Sequence, residues 1–149
     1  MTSLRTSLVM APMLAATLGL AGPSGARAQT TPAAASISAA ETVKAYKMDA
    51  ARHVYAVYAN RIYKGKLPPL VHAIVVLEVD LDESGNLRHI TPVRVPSHAP
   101  DVAVAVTHML ELAAPLPAPR RMGGVRFTEV WLVDKSGRFQ LDTLTEGQR

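Results

Sequence analysis

The chain has 149 residues, 16 Lys and Arg against 12 Asp and Glu, and no cysteine. That length suits one small domain built around one core, and the missing cysteine excludes a disulfide framework and a thiol nucleophile. A formal charge of +4 is too small to argue for a nucleic-acid partner.

The N-terminus reads as an export signal. Arg5 supplies the positive start, and Leu8 to Ala21 is apolar or small apart from Thr17. Gly22, Pro23, Ser24 and Gly25 break that run, and Ala26-Arg27-Ala28 is a small-x-small cleavage site. The run is shorter than the roughly 20 apolar residues that cross a bilayer as a helix. The expectation is a cleaved signal over 1–28 and a periplasmic protein; the alternative is an uncleaved signal acting as an inner-membrane anchor. Cleavage would remove Arg5 and Arg27, leaving 14 of the 16 basic residues against all 12 acids. Gln29 to Ala39 is Thr, Pro, Ala and Ser with a lone Ile37, and reads as a flexible leader. A domain over 40–149 follows.

Glu41 to Ile62 reads as the first helix. Tyr46, Ala50, Val54, Val57, Tyr58 and Ile62 recur at helical spacing, and Ser38 with Glu41 forms a candidate capping box. Lys64-Gly65-Lys66 and Pro68-Pro69 end it. Val71 to Asp82 alternates as a strand with Val75, Leu77, Val79 and Leu81 on the buried face. Glu83-Ser84-Gly85-Asn86 is a turn, and Leu87 to Val95 is the returning strand, which Pro92 marks as an edge strand or a bulged one.

Asp101 to Ala114 is the second helix, with Val102, Val106, Met109, Leu110 and Ala113 on one face. Pro100 fits its first turn, and Ser97 or Asp101 offers a capping oxygen. Pro115-Leu116-Pro117-Ala118-Pro119 stops it. Val125 to Asp134 is a third strand, with Phe127, Glu129, Trp131 and Val133 on one parity. Lys135-Ser136-Gly137 turns the chain into a fourth, Arg138 to Thr145. The expected fold is α+β: two helices packed on a small, mostly antiparallel sheet of three or four strands, in the order α-β-β-α-β-β.

Little here points to catalysis. There is no G-x-S-x-G and no Gly-rich phosphate loop, and the serines of the domain fall in caps and turns. The residues therefore give no support for an enzyme, and no cofactor is assigned. Asp80 to Leu87 imitates the first half of a calcium loop, but the twelfth position is Thr91 where a bidentate Glu is required, so a hairpin turn is the better reading. His108 and Glu111 are three apart on a helix with no third ligand by spacing, so no metal is assigned. Trp131 reads as a sheet-packing residue.

Three stretches carry a family resemblance. AIVVLEVDLDESGNL (Ala73 to Leu87) is an apolar strand running into an acidic glycine turn. PSHAPDVAVAVTHMLELAAPLPAP (Pro96 to Pro119) is a polar link, a short helix and a proline-rich exit. FTEVWLVDKSGRFQLDTLTE (Phe127 to Glu146) is a Trp-containing strand followed by a hairpin. Together they resemble the C-terminal domain of the TonB/TolA energy-transducer family, from about Tyr55 onward. Where that family has a glycine before its first strand, this chain reads Val71-His72-Ala73.

The resemblance implies a domain that engages an outer-membrane receptor or peptide by β-strand addition, in energy-coupled transport. The edge it implies is Arg126, Phe127, Thr128, Glu129, Val130, Trp131, Leu132 and Val133. Arg126, Glu129 and Arg138 are candidates for lining a peptide groove there. Arg138 to Thr145 would pair with the same strand and cover its edge, as a permanent cap or a displaceable lid. The alternative to a receptor-binding domain is an accessory or structural envelope protein whose sheet edge is self-capped. No membrane span is expected once the signal is removed.

Overall fold

A computed structural model describes residues 36–148. The signal reading, and the leader reading up to residue 35, lie outside the described residues. Among those described, no helix is long and apolar enough to cross a membrane.

Helix α1 spans Val43–Val57. Its cap is Thr42, whose hydroxyl oxygen accepts the Ala45 N–H at 3.2 Å. The expected capping box does not form. Ser38 is buried and its hydroxyl donates to Asp49 at 2.7 Å, while Glu41 stays exposed and pairs with Arg121. The helix also stops five residues short of Ile62. Tyr58 leaves helical geometry at φ −114°, its hydroxyl donates to the Met109 carbonyl, and Ile62 bridges to Phe139. Tertiary partners thus overrule the helical pattern beyond Val57.

Strand β1 is Ala73–Asp82 and β2 is Leu87–Arg94, paired antiparallel. On β1, Ala73, Val75, Leu77, Val79 and Leu81 are all buried, as the alternation predicts. The connecting turn is closed by Asp82, whose carboxylate accepts the N–H groups of Ser84 and Asn86 and the Asn86 side-chain amide. Those bonds hold its carboxyl below the usual carboxylate range. Gly85 lies at φ +84°, and a Cβ there would fall 2.0 Å from the Leu116 carbonyl oxygen. Only glycine allows that approach.

Helix α2, Pro100–Ala113, buries Ala103, Val106, Met109, Leu110 and Ala113, leaving Val102 half-buried. Pro100 opens it as expected, but no side chain caps it, so neither Ser97 nor Asp101 takes that role. The proline-rich exit is a tethered strap. Leu116 N–H donates to Gly85, Pro117 accepts from the Tyr46 hydroxyl, and Ala118 exchanges main-chain bonds with Ser36 and Ser38. The end of the segment read as leader is therefore pinned to the domain.

Strand β3, Gly124–Val133, pairs with β1 along its whole length, and β4, Phe139–Leu141, closes one end. The sheet order is β2-β1-β3-β4, all antiparallel. Both helices pack on its inward face, in a core with Tyr46, Val54, Leu77, Leu110, Phe127 and Trp131. This is the expected α+β architecture.

Candidate binding edge

A strand can be added only where main-chain groups lack a neighbour, so the sheet's two outer sides decide where a partner fits. On the first side lies β2. Pro92 faces Leu77 across the ladder, and register shifts interrupt the pairing at Val76/Leu77 and Asp80/Leu81. A proline and irregular register blunt an edge against pairing.

On the second side lie β4 and the rest of β3. β4 pairs only with Trp131, Leu132 and Val133. Its own outer edge is sealed, because the Phe139 carbonyl accepts the Tyr63 N–H at 2.9 Å and Leu141 N–H donates to the Tyr55 hydroxyl at 3.0 Å. Gln140 is fully buried. Its amide donates to the carbonyls of Tyr63 and Gly65, and its oxygen accepts from Thr145 and Glu146. From Gly124 to Val130, β3 has no strand on its outer side among the described residues.

The eight residues named from the sequence divide accordingly. Trp131, Leu132 and Val133 lie under β4, which corrects the expectation of an edge covered through Thr145: the fourth strand ends at Leu141, and Asp142–Leu144 is a 3-10 turn. Phe127, Glu129, Trp131 and Val133 are buried, with their side chains in the core and not at the surface. Glu129 in particular is no groove residue. Arg126 and Thr128 are exposed and Val130 is half-buried. Arg126 donates to Asp80, its cross-strand neighbour, at 2.8 Å.

Glu129 is what sequence reasoning misjudged. It is 4% exposed, and its carboxylate accepts from Val130 N–H (3.2 Å), Thr143 N–H (3.3 Å) and the Thr143 hydroxyl (2.7 Å). Burial pushes its carboxyl above the ordinary range, against the opposing effects of those bonds and of Lys47. The signal was present: Glu129 is the single acid on the parity of Phe127, Trp131 and Val133. Trp131 packs on Phe139 with ring centroids 4.7 Å apart, and its buried Nε1 has no acceptor. A cavity of about 10 Å³, near the size of one water, lies between Glu129, Trp131, Phe127 and the helix residues Ala50, Val54 and Leu110.

The other sequence candidates stay apart. Asp80 turns to Arg126 while Asp82 closes the hairpin, so the two do not converge on a cation. His108 and Glu111 are both exposed, and the described residues contain no group of three or more His, Cys, Asp or Glu arranged to hold a metal. His53 Nε2 lies 2.8 Å from the Ala113 carbonyl, and His98 Nε2 lies 2.6 Å from the His72 carbonyl, both as fold contacts. No family model, curated protein or solved structure matches the chain.

Proposed function

We propose that this is a periplasmic binding domain of the TonB C-terminal type, which engages an outer-membrane receptor or peptide by β-strand addition in energy-coupled transport. The observation that carries the reading is that, among the described residues, no strand pairs with the outer side of β3 from Gly124 to Val130. An incoming extended segment would bond to the outward main chain of Arg126 and Thr128, with its alternate side chains beside theirs. The family resemblance and the signal-like N-terminus supply the location and the kind of partner.

A second reading has its own support. β4 covers Trp131 to Val133 and is itself sealed by Tyr55 and Tyr63, which suits an accessory envelope protein with a largely self-capped edge. Titration with synthetic peptides from the periplasm-facing N-termini of TonB-dependent receptors separates the two. Strand addition predicts amide shifts concentrated at Gly124 to Val130. No shift there with any peptide, in folded protein, would favour the self-capped reading. N-terminal sequencing of the exported protein tests the location: a start at Gln29 is expected, and an intact Met1 or Thr2 would contradict it.

A further inference from the structure

β4 ends sooner than its sequence suggests, and the register shows where it is stopped. Asp134 N–H donates to the Arg138 carbonyl, and Leu132 faces Gln140. Hydrogen-bonded pairs recur every second residue in an antiparallel ladder, so the outward main chain of β3 is that of Leu132, Val130, Thr128 and Arg126. Continued in register, the ladder would set Asp142 opposite Val130 and Thr143 opposite Glu129. The alternation of Phe139, Leu141 and Thr143 suits that continuation.

The continuation does not occur. Val130 N–H donates to Glu129 Oε1, which takes the place the Asp142 carbonyl would fill. The Asp142 carbonyl accepts Thr145 N–H inside the 3-10 turn instead. Thr143 is turned so that its N–H and hydroxyl both reach the same carboxylate. One buried side chain therefore removes the next rung of the ladder, and it holds Thr143 in a turn that Gln140 supports through Thr145 and Glu146. A carboxylate in an apolar core costs stability even when hydrogen-bonded, so Glu129 has no packing reason to be there.

We propose that Glu129 is the positioning residue that keeps this edge open, by ending β4 and preventing the chain's own C-terminal segment from zipping along Gly124 to Val130. Its role in binding rests on the strand-addition reading above; its role in ending β4 rests on the register alone.

The test is residue-resolved amide hydrogen exchange on the full chain, comparing wild type with Glu129→Val and Glu129→Gln. In Glu129→Val the strand extends. The Thr128 amide slows by about tenfold or more relative to global stability, and carbon chemical shifts of residues 142–145 become extended. Glu129→Gln keeps an acceptor oxygen for Val130 and retains the wild-type pattern, which a merely space-filling role for Glu129 would not separate from valine. A folded Glu129→Val protein with unchanged exchange at Thr128 and an intact turn overturns the proposal. Should Glu129→Val fail to fold, Glu129→Leu decides: it also removes the acceptor while filling the site with an apolar chain, so the same slowing supports the proposal and a wild-type pattern overturns it. No partner enters this readout, so its failure leaves strand addition standing, and failure of peptides to bind leaves the Glu129 result standing.

Discussion

The two outer sides of the sheet solve the same problem differently. β2 carries its protection within its own sequence, in Pro92 and the register shifts on either side of it. The β3 side is protected by another segment, β4, and only over Trp131 to Val133. Protection written into a strand is permanent, whereas protection by a short neighbour leaves the rest of the strand available. That difference is why the strand-addition proposal rests on β3 and not on β2.

The largest expected effect comes from breaking the closed half of the β3 side. Trp131→Ala removes the ring that packs on Phe139 and anchors β4. A buried Trp-to-Ala change costs about 3–5 kcal/mol, read by chemical denaturation, and Gln140 should lose amide protection first. Next is Gly85→Ala, which strikes the tie between the β1–β2 hairpin and the proline strap. The positive φ and the approach to Leu116 together should cost roughly 1–3 kcal/mol, seen as a lower melting temperature.

Thr128→Pro sharpens the comparison by giving β3 what β2 already has. The outward N–H it removes has no strand partner, so stability should fall by no more than about 1 kcal/mol while peptide binding is lost. If binding survives with that amide gone, β3 is not the binding edge. Pro92→Thr is the reverse experiment. It restores an edge amide on β2, should change stability by less than about 0.5 kcal/mol, and should make self-association detectable by sedimentation at high concentration.

The smallest effect is a pH slope. Glu129 has a raised folded-state pKa, so its protonated form favours the folded protein. That contribution is complete below the unfolded value and is lost as pH rises through the folded one. Glu129→Gln should flatten the fall in stability over that window. An unchanged slope would mean that the carboxyl is not titrating differently in the two states.

Much of this was legible in the sequence because periodicity reports burial directly. Val75 to Leu81 on β1, Met109 and Leu110 on α2 and the edge position of β2 all follow from spacing and from one proline. The misjudged features share a different cause. Helix α1 stops at Val57 because Tyr58 and Ile62 find partners on α2 and β4, and β4 stops at Leu141 because of a side chain on the neighbouring strand. Local pattern cannot register a distant hydrogen-bond acceptor. The proline-rich exit was read rightly as a helix stop, but its bonds to Gly85, Tyr46 and Ser36 depend on three remote segments. At the candidate edge the strand itself was legible, while the division into a covered and an open half was not.

The most direct test of the open edge is amide exchange in the wild-type protein at two outward-facing positions of the same strand, Leu132 and Thr128. Leu132 should be protected by Gln140, and Thr128 should exchange freely until a receptor peptide is added, then become protected. Equal protection of Thr128 and Leu132 in the free protein would mean that the edge is already covered, and would contradict the account.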